Sequence, residues 1–125
     1  MRVVVVEDNP VCVAHVAHAL DAVEGSHIVE VLPSEDEARA WFNEHRSEWD
    51  LAVIDLFLKQ GHGFNVLQAC LDRSPGQKAV VLSNYSREPV RDYVMAAGAD
   101  AFFDKSMDIE ALARYCRQWA GEVAA

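Results

Sequence analysis

Four short apolar runs, each closing on polar residues, limit what this chain can fold into. They are Val3-Val4-Val5-Val6 before Glu7-Asp8, Leu51-Ala52-Val53-Ile54 before Asp55, Ala79-Val80-Val81-Leu82 before Ser83, and Ala101-Phe102-Phe103 before Asp104-Lys105. Runs of that length with no polar member read as parallel strands buried on both faces. A fifth stretch, His27-Ile28-Val29-Glu30-Val31-Leu32, alternates instead. Its Glu30 places it at a sheet edge, and Pro33 blocks further pairing.

Helical patterns separate these runs. Asn9 and Pro10 read as the N-cap and first residue of a helix reaching about Val23, ended by Gly25. Ser34 to Glu37 has the form of a capping box, in which serine and glutamate each satisfy a backbone donor, and the helix behind it turns Ala38, Trp41, Phe42 and His45 inward. Phe64, Leu67, Cys70 and Leu71 define the inner face of a third helix, closed by Ser74-Pro75-Gly76. A fourth begins between Ser86 and Pro89, buries Val90, Val94 and Ala97, and stops at Gly98. The last starts at Ser106 or Asp108, presents Ile109, Leu112, Cys116 and Trp119, and frays past Gly121. Five alternations of strand and helix predict an α/β fold, a five-stranded parallel sheet with helices on both faces. The order 2-1-3-4-5 follows if the two strands ending on carboxylates are central neighbours.

At 125 residues, 51% hydrophobic and 25% charged, the chain reads as one domain, 1–125, with no output domain attached. A net charge of −9 argues against nucleic-acid binding through a basic face and against an anionic membrane surface. No apolar stretch approaches the roughly 20 residues of a spanning helix, and the N-terminus lacks the form of a signal peptide, so a cytoplasmic location is expected. Cys12, Cys70 and Cys116 are odd in number and without metal-ligand spacing, which predicts reduced thiols in or near the core.

The chemistry gathers at the strand ends. In an open α/β sheet, ligands sit outside the carboxyl ends of the strands. A single Asp there ordinarily caps a helix or closes a turn. Here Glu7, Asp8 and Asp55 are brought to one edge, and three carboxylates that close repel unless a proton or cation intervenes. A hard divalent ion bound through oxygen resolves the conflict. Ser83 adds a hydroxyl and Lys105 a point charge.

Acid pair, aspartate, hydroxyl and lysine, in that order and on four strands, resemble the receiver domain of two-component response regulators, in its single-domain, chemotaxis-regulator-like form. The resemblance covers essentially the whole chain and implies a flavodoxin-like (βα)5 fold. It implies that Asp55 accepts a phosphoryl group from a sensor histidine kinase or a histidine phosphotransfer protein. Asp8, Asp55 and the backbone carbonyl of Phe57 would hold Mg²⁺ (or Mn²⁺) directly, with Glu7 acting through a coordinated water. Asp55 is expected to be ionised already near neutral pH. Lys105 would pair with Asp55 and then with the phosphoryl oxygens, Ser83 would move to hydrogen-bond one of them, and Phe102 would report the change to the surface of the fourth helix, fifth strand and last helix. Gly63 matches the family as well, and its simplest use is to let the loop turn into the third helix.

Such a chain is a phosphoacceptor signalling domain that assists only its own phosphorylation and dephosphorylation. It would signal by binding a downstream protein or by relaying its phosphoryl group, and the sequence leaves a phosphorylation-dependent dimer open. From Val11 to Leu20 the first helix has no charged residue apart from histidine, which suits docking of a helical phosphodonor over Cys12 and His15. His15 and His18 share a face, but no third metal ligand accompanies them. Phe57 and Tyr85 flank the acceptor, where bulky surface would restrict attacking water and lengthen the life of an acyl phosphate. The chain departs from the family at Lys59 and Ser106, where proline is frequent, and without the second proline a cis peptide after Lys105 is less favourable.

Rival readings are weaker. A haloacid-dehalogenase-type phosphatase needs a second Asp where Phe57 stands, and a flavodoxin needs a phosphate-cradling loop where Glu7-Asp8-Asn9 has the wrong charge. A phosphorylation-independent interaction module of the same fold, or a receiver fragment of a larger transcriptional regulator, remains the alternative.

Overall fold

The computed structural model describes residues 1–84, 88–105 and 108–124, the side chains of 120–124 excepted. Tyr85, the helix start at Ser86, and Ser106 with the peptide bond before it therefore lie outside the described residues. The strands are β1 (Arg2–Val6), β2 (His27–Leu32), β3 (Leu51–Asp55), β4 (Lys78–Ser83) and β5 (Ala101–Asp104). They alternate with α1 (Pro10–Leu20), α2 (Glu35–Glu44), α3 (Gly63–Ala69), α4 (Glu88–Ala96) and α5 (Ile109–Ala124). All strand pairings are parallel, in the order β2-β1-β3-β4-β5.

The lack of alternation in the apolar runs has a direct cause. Val3, Val5, Leu51, Val53, Val80 and Leu82 point to one face, where Val16 and Leu20 of α1 and Leu112, Cys116 and Trp119 of α5 cover them. Val4, Val6, Ala52, Ile54, Ala79 and Val81 point to the other, against Ala38, Phe42, Val66, Leu67 and Val94 of α2, α3 and α4. Successive strand residues face opposite sides, so a sheet covered twice needs an apolar residue at every position. β2 lies at the edge as expected. Its register against β1 shifts between Val3 and Val4, so Val29 is an extra residue and only Leu32 of the strand is buried.

Several helix limits differ from the sequence reading. α1 is capped by the Asn9 side chain as expected but stops at Leu20 rather than Val23, because the Ser26 hydroxyl donates to the carbonyls of Leu20 and Val23, 2.8 Å each, and folds the chain back. Gly25, at φ +80°, sits in that turn beyond the helix. At the start of α2 the Ser34 hydroxyl accepts from the Glu37 amide as expected, but the Glu37 carboxylate meets the serine hydroxyl at 3.0 Å instead of a backbone donor. Trp41 and His45 are only half-buried and stack on each other, while Trp49, which had no assigned role, is buried edge-on to Phe42. α3 ends at Ala69, before the Ser74-Pro75-Gly76 turn, so Leu71 falls outside the helix and is 54% exposed, and Val66 completes the inner face. α5 runs on past residue 121 to Ala124.

The cysteines are free. Burial pushes the Cys70 and Cys116 thiols up to about 12, the pattern of unreactive core residues.

Candidate functional site

Strand register delivers the polar residues to one place. Val6 of β1 lies opposite Ile54 of β3, so Glu7 and Asp55 leave their strands at the same level. Asp55 lies opposite Leu82, and the next residue of β4, Ser83, lies opposite Asp104, immediately before Lys105. Residues far apart in the chain therefore arrive within one step of the same sheet edge.

There the Lys105 ammonium bridges two carboxylates, 2.7 Å from Glu7 Oε2 and 3.2 Å from Asp55 Oδ2. Its backbone amide donates to the Ser83 carbonyl at 2.9 Å, which fixes the root of the side chain against β4. Glu7, Asp55 and Ser83 are all buried, and Asp8 is half-buried. The second oxygen of Glu7 accepts from the Asn9 amide at 3.1 Å. Asp8 accepts from the backbone N–H of Lys59 across the pocket. The sequence had not pointed to the Glu7–Lys105 pair or the Lys59 contact, because each depends on which loop folds over which strand end.

Burial pushes the Asp55 carboxyl up to about 7, and the charge of Glu7 adds to the effect, while Lys105 holds it partly down. The expectation of an ionised Asp55 near neutral pH took no account of burial: desolvation disfavours the charged form, and depth of burial is not visible in sequence. For Lys105, burial alone would lower the pKa, but the Glu7 hydrogen bond and the charge of Asp55 outweigh it and keep the ammonium firmly charged.

Glu7, Asp8 and Asp55 each offer an oxygen, all within 4.8 Å of one another. Among the described residues three hard donors meet one ammonium, a surplus of negative charge and a donor set that fits Mg²⁺ or Mn²⁺. Phe57, whose carbonyl was expected to join them, follows β3 by two residues; its ring is 46% exposed and packs edge-on to His62, 5.2 Å between centroids.

The loop from Phe57 to His62 closes on itself through an antiparallel bridge between those two residues. Glu35 at the head of α2 clasps it: Oε1 accepts from the His62 amide and from Asn65 Nδ2, both at 2.9 Å, and the Glu35 amide donates to the Gln60 carbonyl at 3.0 Å. Those bonds, first Asn65 and then His62, hold the Glu35 carboxyl below its ordinary value. Glu35 was read only as part of a helix start. Gly63 does not adopt a positive φ; a Cβ there would run into the Asp55 carbonyl, so its glycine serves close approach rather than the turn expected of it. The turn is made instead at Gly61, φ +94°.

Phe102 is 5% exposed and points into the core on the α4 side, with the Arg91 guanidinium 5.1 Å from its ring centroid. On α1, Val11 and His15 are exposed and Cys12 half-buried. His18 is exposed too, and among the described residues no acidic or thiol group joins it and His15 as a metal site.

The pattern of the response regulator receiver domain matches residues 3–117. The chain belongs to the response regulator receiver family. A receiver domain is a phosphoacceptor signalling domain. Among curated proteins, this receiver is 33% identical over 112 residues to the transcriptional regulatory protein PhoP of Escherichia coli O157:H7, covering 88% of this chain and 48% of that protein. It is also 33% identical over 114 residues to the two-component response regulator PhoP of Pseudomonas aeruginosa, covering 90% and 48%. The chain thus spans about half the length of the curated relatives it matches. Among solved structures it resembles the response regulator domain of Thermotoga maritima CheB, with a TM-score of 0.80, 17% identity and coverage of 97% and 96%. A response regulator from Burkholderia pseudomallei, solved with a phosphorylated aspartic acid, a calcium ion and citrate, matches with a TM-score of 0.76, 22% identity and coverage of 98% and 70%. At such identities the structures bear on the fold alone. Among the described residues no helix is long and apolar enough to cross a membrane.

Proposed function

We propose that this receiver takes a phosphoryl group onto Asp55 from a phosphohistidine of a sensor histidine kinase or histidine phosphotransfer protein, and signals through protein contacts. The observation that carries this reading is the convergence of Glu7, Asp8 and Asp55 around a Lys105 ammonium that touches two of them. A carboxylate oxygen of Asp55 would form the new O–P bond as the P–N bond breaks, with the electron pair staying on the imidazole nitrogen. A divalent cation held by Asp8, Asp55 and the Phe57 carbonyl, with Glu7 behind a water, would offset the charge that develops on the phosphoryl oxygens. Lys105 would follow the phosphoryl oxygens once Asp55 carries the acyl phosphate, and Ser83, at the same edge, would donate to one of them. Phe102 under Arg91 would carry the change to the α4–β5–α5 surface.

The exposed Val11 and His15 and the half-buried Cys12, on a helix without Asp, Glu, Lys or Arg, support docking of a helical phosphodonor on α1. We assign the protein to the cytoplasm, with residues 1–125 acting as one receiver unit that itself catalyses only changes at Asp55. Because the curated relatives are about twice as long, service as the receiver of a longer transcriptional regulator is the second reading.

Incubation with acetyl phosphate and MgCl₂ should add the mass of one phosphoryl group, lost in Asp55→Asn and in EDTA. A wild-type protein that gains no mass, or an Asp55→Asn variant that gains it equally, would leave a phosphorylation-independent module as the better account.

A further inference from the structure

We propose that the backbone N–H of Lys59 is the positioning group for the Asp8 carboxylate, and that the loop carrying it presets the cation site. This rests on the reading of the acidic pocket as a divalent-cation site. The contact joins segments 51 residues apart in sequence. Asp8 lies beyond the end of β1 and is only half-buried, and Lys59 is exposed, so packing alone does little to fix either. What fixes the donor is the loop. It is pinned at its base by the Gly63 amide on the Leu56 carbonyl at 2.8 Å and by the Phe57–His62 bridge, and at its side by Glu35. Gly61, at φ +94°, turns the chain back towards His62, between the Lys59 amide on Asp8 and the Glu35 clasp on α2.

The amide occupies a lone pair of Asp8 Oδ2 and sets the plane of the carboxylate, leaving its remaining lone pairs for a cation. An N–H aimed at a carboxylate from a rigid loop also offsets part of the repulsion among the three acids before any ion arrives. Only a residue with a backbone proton can do this. Proline cannot, and the side chain at 59 is immaterial to the contact.

The test is magnesium affinity of the full chain by calorimetry with MgCl₂ alone, alongside hydrogen exchange of the Lys59 amide by NMR. Lys59→Pro should weaken Mg²⁺ binding by about tenfold or more, as loss of a partner to a metal ligand commonly does. Lys59→Ala keeps the amide and sheds a positive charge, and should bind at least as tightly as wild type. The Lys59 amide should exchange slowly in wild type and at the rate of an open loop in Asp8→Ala. A folded Lys59→Pro variant with wild-type affinity overturns the proposal. So does a Lys59 amide unprotected in wild type, which decides the matter even if Lys59→Pro does not fold. A wild-type protein that binds no Mg²⁺ refutes the underlying cation-site reading instead, so the two failures are distinguishable.

Discussion

Among the described residues, Lys105 is the cation that touches both Glu7 and Asp55, and its removal has a definite sign. In Lys105→Met the Asp55 carboxyl loses the cation that holds it partly down and should take up a proton at pH 7, leaving Glu7 without its ion pair, so stability in EDTA should fall by about 2 kcal/mol, measured by urea unfolding. Added Mg²⁺ should then recover more stability in the variant than in wild type; equal Mg²⁺ effects would show that Lys105 and the ion do not address the same charges. Phe57 belongs to a different question. Its exposed side chain stands two residues beyond Asp55, edge-on to His62, where it would shield a phosphorylated Asp55 from water. Phe57→Asn should shorten the acyl-phosphate lifetime by about tenfold, equivalent to ~1.4 kcal/mol in the barrier. An unchanged decay rate would remove the ring from the account.

Two connections hold the elements to their task, one at each end of the sheet. At the functional end, α3 begins on Gly63 so close beneath β3 that a methyl group would strike the backbone of the acceptor residue itself. Gly63→Ala should therefore cost about 2 kcal/mol or more in a denaturant melt and slow phosphorylation as well, because the strand end must move. A loss of stability with an unaltered phosphorylation rate would mean that the displacement is absorbed within α3. At the opposite end, Asp50 ties β1 to β3: it accepts from the Arg2 amide at 2.6 Å and from the Arg2 guanidinium at 3.1 Å and 3.2 Å. Burial would raise the Asp50 pKa, but the bonds from Arg2 outweigh it and hold the value below that of an ordinary aspartate. A depressed folded-state pKa gives stability that is complete above the unfolded value of about 3.9 and fades as pH falls through the folded one. The difference in melting temperature between wild type and Asp50→Asn should be constant above about pH 5 and shrink below it.

Across the whole molecule, the acidic pocket gathers a repulsion that folding creates and a bound cation would relieve, which would link folding to Mg²⁺ binding. At a free concentration of 100 times Kd the ion should stabilise the receiver by about 2.7 kcal/mol, visible as a Tm rise of several degrees that EDTA reverses and that Asp8→Ala lacks. No Mg²⁺ dependence of Tm would contradict the pocket as a cation site. The strands and their depth were legible because a sheet covered on both faces requires the interior positions of β1, β3 and β4 to be apolar, which leaves a signature in local composition, and their order followed from taking the two strands that end on carboxylates as neighbours. The polar residues at the strand ends were legible for the same reason, since the strands that fix their level in space also fix their position in the chain. Helix limits were read less well: Ser26 ends α1 from six residues away, and the end of α3 depends on a turn that composition does not announce. What only the tertiary structure decided is every relation across the chain: Glu7 rather than Asp55 alone on Lys105, Glu35 on the acceptor loop, Lys59 on Asp8, and Arg91 over Phe102. A sequence encodes the tendency of each segment, but the charge state of Asp55 and the partners of Asp8 depend on distance and desolvation, which exist only once the segments have packed.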